Sequence, residues 1–230
     1  MKLAVLFSGG KDSAAALVKA RRAGHDVVCL LSMRSENPDS YMFHTPNARW
    51  TELQAKAAGL PLVIESTKGE KEAELEDLRR LIVRAKREYK VDGIATGAVA
   101  STYQAERIEK LCLEEGLTTF NPLWKIDHDA YAAWLVAEGF ELFIVGVAAE
   151  PFTKEWLGRP YDDEAIKELQ TLREKTGVSL TGEGGEFETF TAWAPGWTRR
   201  IIVEDASATF KDFAGVWRIE KARLDERPNL

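Results

Sequence analysis

The chain opens with an apolar run, Leu3 to Phe7, that stops at Ser8 and two adjacent glycines and resumes as Ala14, Leu17 and Val18 at helical spacing. This pattern predicts a strand, a tight turn and a helix that ends near Gly24. Val27 to Leu31 is a second unbroken apolar run, reaching Ser32 and Met33, as expected of a parallel strand buried on both faces. Thr45 and Pro46 offer an N-cap and an N1 proline for a helix that ends at Gly59. Leu62 to Glu65 reads as a short strand. Between Lys71 and Lys90, Leu75, Leu78, Leu81, Ile82 and Ala85 fall on one side of an amphipathic helix. Val91 to Thr96 forms a fourth strand, and the turn Gly97 to Ser101 leads into a helix that carries Tyr103, Gln104 and Arg107.

Strands alternating with helices predict the α/β class with a doubly wound, mostly parallel sheet, whose ligands bind beyond the carboxyl ends of the strands. Strands one and four flank the switch point in this arrangement. The turns at Ser8 and Gly97 then face each other across one crevice, with Ser32 and Met33 on a third side. Gly97 has an equally good structural reading, tight packing of helix against sheet. The stretch Arg34 to Asn47 is long, polar and aromatic, as a binding loop at the end of a central strand would be.

The pattern changes after Asn121-Pro122-Leu123-Trp124. Asp127 caps a helix that ends at Gly139, Phe140 to Ala148 is an apolar strand, and Asp162 to Thr176 is a helix with a polar outer face. Beyond Gly177 the alternation is β-like through Phe187 to Trp193, Arg200 to Val203 and Val216 to Ile219. A boundary near residue 120 divides the chain into 1–120, the doubly wound part, and 121–230, a smaller α+β part.

Composition narrows the function classes. With 230 residues, 45% of them hydrophobic, the chain can bury a sizeable core, and its net charge of −6 argues against a general nucleic-acid-binding surface. Cys29 and Cys112 lack metal-ligand spacing and read as reduced, buried thiols. No apolar run reaches the roughly 18 residues of a membrane span and no signal-peptide pattern opens the chain, so a cytoplasmic protein with no membrane partner is expected.

The chemistry starts at Ser8-Gly9-Gly10-Lys11-Asp12-Ser13. Adjacent glycines allow positive φ and close approach of a ligand, and the first turn of the following helix presents N–H groups with no partner inside the helix. Such a turn is an anion site. Lys11 adds a positive charge, Ser8 and Ser13 add hydroxyls, and Asp12 can cap the helix or hold a metal bound to the anion. The spacing is not that of a Walker A loop. It matches the Ser-Gly-Gly-x-Asp-Ser loop of the ATP pyrophosphatase superfamily, whose members split ATP into AMP and pyrophosphate. Adenine then falls beside Ser32 and Met33, with Gly97 and Ala98 opposite.

A second dense segment is Gly182-Glu183-Gly184-Gly185-Glu186-Phe187-Glu188-Thr189, three glycines and three carboxylates in eight residues. Like charges this close repel, so a cation or a set of N–H donors is a fitting partner. With this segment the chain resembles the diphthine–ammonia ligases. The resemblance rests also on Ser40-Tyr41-Met42 with His44-Thr45, Ser101-x-Tyr103-Gln104-x-x-Arg107, Pro122-Leu123-Trp124 and Trp156-Leu157-Gly158-Arg159, and covers residues 1–205.

The resemblance implies a fold of the adenine nucleotide alpha hydrolase type and an AMP-forming, amide-forming ligase. ATP and Mg2+ would activate the carboxylate of diphthine on translation elongation factor 2 through an acyl-adenylate, and ammonium would supply the nitrogen of diphthamide. Residues 1–120 would bind ATP and 121–230 would recognise the acceptor. Lys11, Asp12, Glu183 and Glu186 are the expected catalytic group, with Asp12 as the metal candidate. Tyr41, His44, Ser101, Tyr103, Gln104, Arg107, Trp124, Gly184, Gly185, Glu186, Glu188 and Thr189 are the expected acceptor contacts. Glu186 and Glu188, backed by a tryptophan, would attract the quaternary ammonium of diphthine. Two alternatives carry the same first loop, a tRNA-modifying ATP pyrophosphatase and an ATP-binding module without turnover.

Overall fold

The computed structural model describes residues 1–35, 47–69 and 73–226. The elements among them are β1 (Lys2–Leu6), α1 (Lys11–Arg22), β2 (Asp26–Ser35), α2 (Thr51–Ala58), β3 (Leu62–Thr67), α3 (Ala73–Tyr89), β4 (Gly93–Ala95), α4 (Thr102–Glu114) and β5 (Thr118–Phe120). They continue with α5 (His128–Ala137), β6 (Glu141–Ala148), α6 (Asp163–Thr176), β7 (Phe187–Trp193), β8 (Ile201–Lys211) and β9 (Ala214–Leu224).

The first five strands form a parallel sheet in the order β3-β2-β1-β4-β5. The chain moves outward from β1 through β2 to β3 and then returns to β4 on the other side of β1. The order therefore reverses between β1 and β4, and the connections leaving their carboxyl ends diverge to open a crevice. The last four strands form an antiparallel sheet in the order β7-β6-β9-β8.

Alternation along β1 sorts the core into two layers. Leu3, Val5 and Phe7 join α1, α2 and the inner residues of β6 and β7, including Ile144, Val145, Phe187 and Phe190, in one continuous apolar cluster. Ala4 belongs to the opposite layer with Leu78, Leu81 and Ile82 of α3 and Ile108 and Leu111 of α4. Because the first cluster runs without a break from the parallel sheet into the antiparallel one, residues of the second half are packed directly against the turn that follows β1. Cys29 and Cys112 are buried and unpaired, and burial pushes both thiols up to about 12.

Several boundaries differ from the expectation. The helix expected from Thr45 and Pro46, which lie outside the described residues, starts later: Asn47 has φ +69, a short 3-10 turn spans Ala48–Trp50, and α2 follows. Asn47 is held out of the helix by β9, donating from Nδ2 to the Trp217 carbonyl at 2.9 Å and accepting from the Ile219 N–H at 2.8 Å. Val91 to Thr96 contracts to the three-residue β4, and Thr118–Phe120 adds an edge strand that the pattern does not announce. The separate short strands at Arg200 to Val203 and Val216 to Ile219 are parts of one long hairpin, β8 and β9. Its turn residues Asp212 and Phe213 have φ of +50 and +61, the left-handed pair that suits twisted strands.

Candidate active site

The turn after β1 meets the crevice through Ser8, Asp12 and Ser13 and is packed closely on its other side. Gly9 has φ +89, and a side chain there would collide with the amide of Gln54. Ser13 ties the turn internally, its hydroxyl accepting the Gly9 N–H at 3.2 Å and donating to the Gly10 carbonyl at 2.9 Å. The second half of the chain then clamps it from outside. The Thr191 N–H donates to the Gly9 carbonyl at 2.9 Å, and Gln54 bridges the Gly9 and Thr191 carbonyls at 2.8 Å each. The Lys11 N–H donates to the Thr189 hydroxyl at 3.0 Å. Thr189, expected at the acceptor, is thus bound to the first turn of α1 and takes one of the helix donors that the sequence offers to an anion.

Lys11 itself is buried, and its ammonium sits among acids. Nζ donates to Asp12 Oδ2 at 2.8 Å and lies 3.9 Å from Glu183 Oε1, with the Phe187 ring centroid 5.9 Å away. The other oxygen of Asp12, Oδ1, accepts from the Tyr131 hydroxyl at 2.8 Å. Burial, then the Asp12 charge, pushes the Glu183 carboxyl up to about 7, with Lys11 pulling the other way. Burial likewise pushes Glu188 up to about 7 against the Lys11 charge. The Tyr131 hydroxyl, enclosed and beside Asp12, is held well above the usual phenol range and stays a donor.

The loop that presents Glu183 is shaped by Glu186. Its Oε1 accepts the Ser179 N–H at 2.9 Å and its Oε2 the Gly184 N–H at 2.8 Å, while its carbonyl accepts from Ala148. Gly182, at φ +69, lies so close to β7 that a Cβ would stand 2.6 Å from the Phe187 carbonyl oxygen. Both carboxylate oxygens of Glu186 thus bond N–H groups of its own loop region. Of the tryptophans near this segment in sequence, Trp197 packs on Phe7 in the core and Trp193 lies under Arg200. For Glu186 the foreseen N–H partners are those of Ser179 and Gly184.

Beside this cluster a cavity of about 240 Å³ opens at the carboxyl ends of β1, β2 and β4. Ser8, Asp12 and Ser13 line it from the first turn, Ser32 and Met33 from β2, and Gly97 and Ala98 from the turn after β4, all of them sequence-selected positions. Gly97 serves both of its readings. It borders the cavity, and a Cβ there would come within 2.7 Å of the Asp12 backbone carbon. Thr96 shapes this turn, donating to Asn121 Oδ1 at 2.6 Å and accepting the Ala98 N–H at 3.3 Å.

The remaining candidates are scattered. Tyr41 and His44 lie outside the described residues, as does the side chain of Gln104. Ser101 precedes α4, and Arg107 stacks on Tyr103 with its guanidinium 3.4 Å from the ring centroid, in a separate hollow between α3 and α4. Trp124 is half-buried in the turn after β5, with Lys125 5.9 Å over its ring. Gly185 turns the loop at φ +79 and donates to the Gly182 carbonyl. The Trp156 to Arg159 run is structural: Trp156 is buried, and Gly158 abuts Trp217 closely enough to exclude a side chain.

Three residues that hold the site had no local signal. Tyr131 and Gln54 read as ordinary members of helices, and Thr191 as a strand residue. Their contacts join positions 119, 45 and 137 apart in sequence, which no spacing rule reaches.

The donor set fits a magnesium nucleotide. Gly97 leaves the backbone bare at the cavity wall, Ser8 and Ser13 add hydroxyls, and a lone carboxylate facing the cavity suits Mg2+, which is commonly held by one or two carboxylates together with phosphate oxygens. Among the described residues no cluster of three or more His, Cys, Asp or Glu could hold a metal by itself. No helix among them is long and apolar enough to cross a membrane.

Two family models match the chain, "Diphthamide synthase N-terminal domain" over residues 1–119 and "Diphthamide synthase C-terminal domain" over residues 128–224. A diphthine–ammonia ligase of Danio rerio is 35% identical over 227 residues, covering 91% of this chain and 88% of that protein. The Homo sapiens protein of that name is 32% identical, covering 90% and 84%. The Schizosaccharomyces pombe one is 33% identical over 89% of this chain but only 36% of its own length.

Proposed function

The chain belongs to the diphthine–ammonia ligase family, and from that premise we propose how its crevice carries the reaction. The activity is ATP-dependent amidation of diphthine to diphthamide by an AMP-forming ligase, which sets aside the tRNA-modifying and non-catalytic readings. A carboxylate is a poor electrophile, so its oxygen must first be joined to AMP, and ammonia then displaces AMP to leave the amide.

In our reading the cavity between β1, β2 and β4 takes the nucleotide, with adenine beside Ser32 and Met33 and the phosphates over Ser8 to Ser13. The Lys11 ammonium neutralises charge that builds on the departing pyrophosphate, as a preorganised donor in a dry site does. Asp12 faces the cavity as the position for Mg2+, whose chemistry there is to screen the phosphate oxygens. The acceptor, elongation factor 2 bearing diphthine, approaches over the Gly184-Gly185 loop. Ammonium has to lose one proton before it attacks and the new amide nitrogen loses another. Glu183 and Glu188, whose carboxyls titrate near 7, are the acceptors of those protons.

The observation that carries this reading is the placement of the Lys11 ammonium, 2.8 Å from Asp12, which lines the cavity, and 3.9 Å from Glu183. It brings the two sequence signatures into one site. Product analysis of the turnover mixture tests it: AMP and pyrophosphate in step with amide are expected, and ADP as the stoichiometric product overturns the assignment of the loop.

A further inference from the structure

Asp12 is held more tightly than a residue beside a cavity needs to be. Its side chain keeps 31% of its surface exposed, toward the cavity that it lines, yet each oxygen has a fixed donor at 2.8 Å. One donor is its neighbour Lys11. The other is the hydroxyl of Tyr131, delivered from α5, which belongs to the second half of the chain and is anchored by its own cap, Asp127 accepting from the Ala130 N–H.

Tyr131 is fully buried, with its ring stacked on Trp134 at 6.2 Å, so its position is set by the core and not by Asp12. A tyrosine kept only for packing could be a phenylalanine, because the ring supplies the apolar area and a buried hydroxyl must find a partner or destabilise the fold. Here the partner is a carboxylate that lines the crevice. Without that donor, Asp12 Oδ1 is free to turn to the Lys11 ammonium in a bidentate pair and to leave its place on the cavity wall. A carboxylate shared between a fixed phenol and a lysine cannot do so.

We propose that Tyr131 is a positioning residue for the ligase reaction: its hydroxyl pins Asp12 on the wall of the cavity, so that this carboxylate and the Lys11 ammonium bonded to it keep one fixed arrangement next to the ATP phosphates. The second half of the chain thereby sets the geometry of the nucleotide turn as well as covering it. This inference rests on the nucleotide reading of the crevice. It concerns Tyr131, which acts on ATP only through another side chain.

The test is a double-mutant cycle on ATP affinity in the presence of magnesium, with Tyr131→Phe, Asp12→Ala and the pair, accompanied by thermal melts. A hydrogen bond to a charged group is worth about tenfold or more in an equilibrium constant. Tyr131→Phe alone should weaken ATP by roughly that factor, and it should raise KM for ATP while KM for ammonium stays unchanged. In the Asp12→Ala background the same substitution should change ATP affinity by less than about twofold, because the atom it acts on has gone. Equal effects in both backgrounds overturn the proposal, as does a Tyr131→Phe protein with a lowered melting temperature and wild-type ATP affinity. Lys11→Ala is the separate control for the underlying reading. If it binds ATP as the wild type does, the nucleotide assignment itself fails; if it weakens ATP while the cycle is additive, only the role of Tyr131 falls.

Discussion

Replacing Glu188 by glutamine should stabilise the protein above neutral pH and slow the enzyme. Glu188 sits on β7 opposite Gly146, where burial pushes its carboxyl from 4.5 to about 7 although Lys11 attracts the charged form. That displacement corresponds to roughly 3 kcal/mol in favour of the neutral acid in the folded state. The sign follows from proton binding. Between about pH 4.5 and 7 the folded chain holds a proton that the unfolded chain has released, so the stability contributed by this group falls as pH rises through that window and is level above it. Glutamine carries no charge at any of these pH values. Urea unfolding followed by tryptophan fluorescence should therefore show the variant ahead by under about 1 kcal/mol at pH 5 and by about 3 kcal/mol at pH 8. The same variant should lose ligase turnover at pH 8, since the neutral amide cannot take a proton from ammonium. A stability difference of equal size at both pH values, or a variant less stable than wild type at pH 8, refutes the argument that the fold carries an unfavourable charge at this position for the sake of the reaction.

Gly97→Ala should weaken ATP by roughly tenfold or more, because the new Cβ would stand 2.7 Å from the Asp12 backbone and overpacking of this kind shifts backbone; unchanged affinity by titration calorimetry would show that the first turn of α1 yields freely. The pH profile of turnover, corrected for the fraction of free ammonia, should have an acidic limb near pH 7, with activity lost as Glu183 and Glu188 gain protons, and the double variant Glu183→Gln/Glu188→Gln should remove that limb along with most of the rate. A limb that persists in the variant assigns it to another group.

Where chemistry is packed into consecutive residues, the sequence was legible. Ser8 to Ser13 follow an apolar strand and open a helix, and each step of that reading depends on neighbours only. The parallel order was legible too, because the alternation of strand and helix restricts the topology and places the switch beside β1. Glu186 shows the limit. Two residues apart, Glu186 and Glu188 would share a face on an extended strand, but β7 begins at Phe187, and in the loop before it Glu186 folds back onto the Ser179 and Gly184 N–H groups. The hairpin of β8 and β9 was read too short because most of it stands in solvent, with few buried positions to mark a face. Tyr131, Gln54 and Thr191 could not be seen at all, since their part in the site exists only once the second sheet docks on the first turn.

The most direct measurement is mass analysis of elongation factor 2 bearing diphthine after incubation with this protein, ATP, magnesium and ammonium. Our account predicts conversion of the diphthine carboxylate to the amide, dependent on all four components, with one AMP and one pyrophosphate formed for each amide and the conversion abolished in Lys11→Ala. An unmodified carboxylate, or amide formed without AMP, would contradict it.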